Sequence, residues 1–248
     1  MFYYFLMDLL WILIPSILGP IIGAALGVIK KPSDRLVFHL LSFSAGVMIA
    51  IALIEVLPLS VKYSGVFGCI FGLFFGSILM FLLDKFIPNS HADISVDKKL
   101  CDIKKTSNSL WLAIMVHHIP EGLTIAIGTL VDFKLTMILA IGLFVHYIPE
   151  SICIAAPYYY CTKNRLKSFL IAAMTFVPIV IGFFLGYFFY QLIPLPIFGV
   201  VVGVTAGIMT HISAVELIPS SSKKVTNHNT IFSFILGIVF VVLLRLIV

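Results

Sequence analysis

Two pairs of histidine and glutamate in this chain share one spacing: His117 with Glu121, and His146 with Glu150. Residues four apart on a helix lie on one face. The residues around them repeat too. His117-His118-Ile119-Pro120-Glu121 matches His146-Tyr147-Ile148-Pro149-Glu150 at an offset of 29. Two such faces opposed offer two imidazoles and two carboxylates around one point, which can complete a four-ligand shell for a divalent cation. With both glutamates ionised and both histidines neutral, the bare site is a dianion. A bound divalent cation cancels that charge and offsets the penalty of burying it. Imidazole plus carboxylate suits Zn²⁺, Fe²⁺, Mn²⁺ or Co²⁺, and the lack of thiolates in the set argues against Cu(I). Ligating histidines must be neutral, so binding is expected to weaken below about pH 6.

The neighbouring residues belong to the same device. His118 and Tyr147 each follow a first ligand and point about 100° around the helix. His118 is three residues before Glu121. It is expected either to hold that carboxylate from behind or to join a second cation. Pro120 and Pro149 cannot donate a backbone hydrogen bond, so they free the carbonyls of Val116 and Val145. A kink is expected at each metal-facing turn. Gly122 and Ser151 follow directly and let backbones approach closely.

The elements that must carry these residues follow from composition. Of 248 residues, 61% are hydrophobic and 11% are charged, against about 25% charged in an ordinary soluble domain. Mean hydropathy is +1.15. A disordered chain is excluded, and a soluble globular one is strongly disfavoured. The apolar runs are continuous and do not alternate, which disfavours a β-barrel. A membrane-spanning helix takes about 20 apolar residues. Eight spans are predicted, over about 8–29, 38–60, 65–87, 109–131, 135–157, 168–190, 196–218 and 230–248. The whole chain then reads as one transmembrane unit.

Charge sets the orientation. The loops after spans 1, 3, 5 and 7 hold 13 Lys and Arg, while the other side holds only Lys62, Lys134 and Arg245. By the positive-inside rule those four loops are cytoplasmic and both termini lie outside. The net charge of +5 is therefore a topology signal, and nucleic acid is not an expected partner. The cytoplasmic loop 88–108 holds His91, Asp93, Asp97, Cys101 and Asp102 among lysines and reads as a solvated linker. Cys69, Cys101, Cys153 and Cys161 form no C-x-x-C pair, so neither a disulfide framework nor a thiolate site is indicated.

A longer repeat organises the spans. SAGVMIAIALIEVLPLS from Ser44 in span 2 and TAGIMTHISAVELIPSS from Thr205 in span 7 agree at seven of 17 positions, at an offset of 161. Spans 2 and 7 cross in opposite directions, as do 4 and 5. That is an inverted-topology repeat, three helices, a central pair and three helices, which places a substrate site near the midplane. All four glutamates of the chain, Glu55, Glu121, Glu150 and Glu216, fall in spans or at their edges. Intramembrane ionisable groups face a cavity or a partner. Met48, Met209, His211, Glu55 and Glu216 on the paired spans are candidates to line the way in and out. Glycines recur every fourth residue in spans 1 (Gly19, Gly23, Gly27), 3 (Gly68, Gly72, Gly76) and 7 (Gly199, Gly203, Gly207), a pattern of close helix packing.

These motifs resemble the ZIP (ZRT/IRT-like) family of divalent metal transporters over essentially the whole chain. The resemblance rests on H-x-x-P-E-G in span 4 (His117, Pro120, Glu121, Gly122) and its partner in span 5 (His146, Pro149, Glu150). The span 2 pattern, Ala45-Gly46 followed by Glu55 and Pro58, fits as well. The short chain is similar to bacterial members. The resemblance implies uptake of Zn²⁺, or of Fe²⁺, Mn²⁺, Co²⁺ or Cd²⁺, into the cytosol across the plasma membrane by alternating access. Spans 1, 4, 5 and 6 would move against a scaffold of 2, 3, 7 and 8. The metal ion is cargo and no cofactor is expected; the bilayer is the other partner, with a homodimer left open. Three positions depart from the family: His118 where many members have Asn, Tyr147 where many have a carboxylate or Asn, and Val177-Pro178 where many have Glu-Pro. They predict a mononuclear site. A channel-like facilitator or an intramembrane metalloenzyme would use the same ligands. The H-E-x-x-H of the metalloproteases is absent.

Overall fold

In a computed structural model of the chain, the described residues are 2–29, 33–86, 117–129, 133–189, 192–222 and 229–247. The loop 88–108, the first part of the span expected at 109–131, and the side chain of Glu216 lie outside them. Described residues are helical apart from short connections. The elements are α1 (Phe2–Ile29), α2 (Asp34–Ala50), α3 (Leu57–Phe86), α4 (117–129), α5 (Phe133–Thr162), α6 (Arg165–Ala173), α7 (Phe176–Phe189), α8 (Leu195–Ile212), α9 (Ile218–Ser222) and α10 (Asn229–Ile247). Wider π-helical turns, Ile51–Val56 and Ser213–Leu217, join α2 to α3 and α8 to α9. Among the described residues, six helical stretches are long and apolar enough to cross a membrane. The exterior matches: Phe67, Phe71, Phe74 and Phe75 lie exposed on α3, an apolar surface suited to lipid and not to water. The protein is an all-helical, multi-pass membrane protein.

Two of these stretches are interrupted in ways that matter. The chain reverses inside α3 at Gly65, with φ 70° and ψ 175°. Before it, the Ser60 hydroxyl donates to the Gly199 carbonyl, 2.6 Å. Beyond it, the Ser77 hydroxyl donates to the Gly207 carbonyl, 3.2 Å. A Cβ on Gly65 would meet nothing within 4 Å, so the left-handed backbone, not space, requires glycine there. The second interruption corrects a sequence expectation. A single helix over 168–190 is expected, but the helix breaks at Met174 and Thr175, between α6 and α7. Pro178 has no N–H to offer the Met174 carbonyl, which instead accepts from Val177 N, 3.0 Å. The Thr175 hydroxyl turns back onto the Ala172 carbonyl, 2.8 Å.

Helix pairs meet through glycine, and the meetings come in matched sets. A Cβ on Gly46 would strike the Phe234 carbonyl of α10, and a Cβ on Gly207 would strike the Leu73 carbonyl of α3. Adding 161 to Gly46 and Leu73 gives Gly207 and Phe234. Likewise Gly237 abuts the Phe43 carbonyl and Gly76 the Val204 carbonyl, again 161 apart in both members. The central helices follow a second rule. Gly23 of α1 meets the Ile148 carbonyl of α5, as Gly182 of α7 meets the Ile119 carbonyl of α4. The offsets there are 159 and 29. The contact α2·α10 is thus repeated as α8·α3, and α1·α5 as α7·α4. The two π turns keep the same register, because Ala52–Val56 shifted by 161 is Ser213–Leu217.

Candidate metal centre

The centre lies where α4 and α5 face each other. α4 supplies His117, His118 and Glu121; α5 supplies His146, Tyr147 and Glu150. All but Glu150 are buried to 2% exposure or less, and the Glu150 side chain is 14% exposed. Glu150 is the hub. Its Oε1 lies 3.2 Å from His117 Nε2, and its Oε2 lies 3.2 Å from His118 Nε2 and 3.6 Å from His146 Nε2. His117, His118 and Glu150 each place a ligand atom within 4.8 Å of the others. Imidazole nitrogens and carboxylate oxygens in such a group are donors that could hold a divalent cation.

The far side of each ring shows which nitrogen is available. His118 Nδ1 donates to the Thr175 carbonyl, 2.9 Å. A carbonyl only accepts, so that nitrogen carries the proton, and Nε2 is the nitrogen turned toward Glu150 Oε2, 3.2 Å away. The carbonyl is supplied by the break between α6 and α7. His146 Nδ1 is hydrogen-bonded to the Ser44 hydroxyl, which also lies 3.4 Å from the His146 carbonyl. Serine can donate to that carbonyl while accepting from the ring N–H, and Nε2 is the nitrogen turned toward Glu150, 3.6 Å from its Oε2. His146 Nε2 is buried with no hydrogen-bond partner.

Glu121 is held differently. The Tyr147 hydroxyl donates to its Oε2, 2.7 Å, while its Oε1 is buried without a hydrogen-bond partner. Of the four ligands read from spacing, His117, His146 and Glu150 converge; Glu121 is turned toward Tyr147. His118, read as a supporting residue or second-site ligand, stands with His117 and Glu150.

The residues proposed to line the route lie elsewhere in the fold. Met48 and Met209 are fully buried in the core. Glu55 is buried in the first π turn, 3.6 Å from Arg245 Nη1, which also donates to the Ile54 carbonyl, 2.9 Å. His211 Nε2 lies 3.0 Å from Asp84 Oδ2. Glu216 sits in the second π turn.

Sequence reasoning gave no role to Ser44 or to the Thr175 carbonyl. Ser44 had a signal, as the first residue of the repeated stretch. Thr175 had none, because any residue can supply a carbonyl. Removing the Ser44 hydroxyl leaves the His146 ring free to turn. Ser44→Ala is expected to weaken zinc binding about 10- to 100-fold, the usual cost of losing a group that orients a ligand. Isothermal titration of the detergent-solubilised protein with zinc measures it.

The comparisons with known proteins agree with this chemistry. The family model described as ZIP Zinc transporter matches residues 85–245. Proteins named Zinc transporter ZupT from Escherichia coli O7:K1 (strain IAI39 / ExPEC) and Escherichia coli (strain SMS-3-5 / SECEC) are each 33% identical to the chain over 224 residues. In both cases the match spans 87% of this chain and 87% of the relative. With an all-helical membrane architecture and a likeness that runs through nearly all of its length, the chain belongs to the ZIP family of divalent metal transporters.

Proposed function

We propose that the protein imports Zn²⁺ across the plasma membrane into the cytosol, one ion at a time, through the centre between α4 and α5. The observation that carries this reading is Glu150 with three imidazole Nε2 atoms between 3.2 and 3.6 Å from it. Zinc displaces those contacts and takes their place, with His117, His118, His146 and Glu150 as ligands and Glu121 reached through its open Oε1. Four or five nitrogen and oxygen donors suit zinc. Fe²⁺, Mn²⁺, Co²⁺ and Cd²⁺ are chemically compatible competitors.

Eight crossings with both termini outside, as the basic residues indicate, bring the centre to the midplane. The matched glycine contacts support the inverted repeat that alternating access needs. In that cycle α1, α4, α5, α6 and α7 form the moving unit, and α2, α3, α8, α9 and α10 form the frame. The expected result is saturable uptake of radiolabelled Zn²⁺ by vesicles reconstituted with the protein, competed by Cd²⁺ and Fe²⁺ but not by Mg²⁺. Mg²⁺ demands octahedral oxygen ligands and dehydrates reluctantly. Uptake no greater than in protein-free vesicles would overturn the reading.

A further inference from the structure

The two halves of the centre match at an offset of 29, but they differ at one position. His118 on α4 corresponds to Tyr147 on α5. Their anchors correspond at an offset of 159, which pairs Ser16 of α1 with Thr175. On one side the imidazole leans back and donates to the Thr175 carbonyl. On the other side the phenol does not lean back. Ser16 Oγ is buried with no hydrogen-bond partner, and the Tyr147 hydroxyl reaches forward to Glu121 Oε2, 2.7 Å.

The phenol is closely packed. Tyr147 is fully buried, its ring lies edge-on to His118 at 4.8 Å, and its Cβ lies beside Gly19 of α1. Glu121 is therefore fixed by one oxygen, and its other oxygen is open.

We propose that Tyr147 is a positioning residue that sets metal specificity, by occupying one oxygen of Glu121 and letting this carboxylate coordinate only through Oε1. The inference rests on the metal reading of the centre and deepens it. A carboxylate free to bind through both oxygens raises the number of oxygen donors. That favours ions such as Mn²⁺, which prefer six oxygen-rich ligands, over zinc, which is satisfied with four or five. A phenol fixed on one oxygen removes that option. It fills the place of the fourth imidazole without offering a good neutral ligand, so the centre stays compact and one-sided.

The test uses the full chain, purified and reconstituted. Tyr147→Phe keeps the ring and removes only the hydroxyl. In competition uptake with radiolabelled Zn²⁺ and unlabelled Mn²⁺, the variant is expected to shift preference toward Mn²⁺ by about tenfold, the effect of roughly one hydrogen bond to a charged group. A purely structural role would lower transport of both ions together and leave the ratio unchanged, and an unchanged ratio overturns the proposal. A second measurement does not depend on the variant folding. X-ray absorption at the zinc edge of the loaded wild-type protein is expected to give a coordination number of four or five, and a value of six overturns the proposal. Failure of the metal reading itself looks different: wild-type protein would then bind no zinc, or bind it equally well after Glu150→Ala.

Discussion

Glu150→Ala is expected to abolish zinc uptake, with a fall of at least about a hundredfold, beyond the effect of losing a group that only orients a ligand. The reason is geometric. His117, His118 and His146 share this carboxylate: Oε1 lies 3.2 Å from His117 Nε2, and Oε2 lies 3.2 Å from His118 Nε2 and 3.6 Å from His146 Nε2. Without it, the three imidazoles lose the negative charge that draws a dication out of water. Glu150→Gln separates charge from shape. The amide preserves volume and can still hydrogen-bond, so the helices stay packed, but the charge is gone. Uptake is expected to be lost in both variants while thermal stability of the glutamine variant stays near wild type. Initial rates in vesicles at matched protein content measure the first, and fluorescence-detected size exclusion after heating measures the second. Wild-type uptake by the glutamine variant would remove Glu150 from the centre.

The second large effect lies away from the ligands. Gly182→Val is expected to lose most folded protein and all uptake. A Cβ at this position would overlap the Ile119 carbonyl of α4. Neither helix has a flexible side chain at that point to give way, so the two backbones must separate. Overpacking of this kind typically costs about 1–3 kcal/mol, occasionally more. The separation also moves α7 away from α4, and the Thr175 carbonyl that anchors His118 sits at the start of α7. The matched contact predicts the same for Gly23→Val, where the Cβ meets the Ile148 carbonyl of α5. Gly65→Ala is the contrast. Nothing crowds a Cβ there, and the cost is the left-handed backbone alone, about 1–2 kcal/mol. Apparent melting temperatures of the three variants order them. Equal shifts for all would show that crowding is not the cause.

Several features of the fold could be read from the residues, for stated physical reasons. The apolar runs located the helices because a membrane admits almost no other signal. The break between spans 2 and 3 was legible around residues 60–65, and the turn falls at Gly65. The glycine stripes read in spans 1, 3 and 7 do pack, α1 on α5 and the second half of α3 on α8. The gap between α6 and α7 was not legible. Pro178 signalled a disturbance, but only a second helix asking for a carbonyl gives the gap a purpose. His118 was read as a supporting or second-site residue, and the structure sets it beside His117 on Glu150. Its angle on the helix wheel points about 100° from His117, yet adjacent rings can still share a carboxylate when one is anchored from behind. Helix-wheel geometry fixes where a side chain starts, and tertiary partners fix where it ends. Glu121 illustrates the converse. Its spacing from His117 was right for a shared face, but a phenol on another helix holds its carboxylate aside.

The two π turns carry a historical consequence. A π turn is a local widening of the α-helix, with hydrogen bonds to the fifth residue back instead of the fourth. Two independent widenings would have no reason to fall on the same register. They lie at one offset of 161, around Glu55 in one half and Glu216 in the other. Their common register is what one widened turn would give if it was already present when the repeated segment was copied.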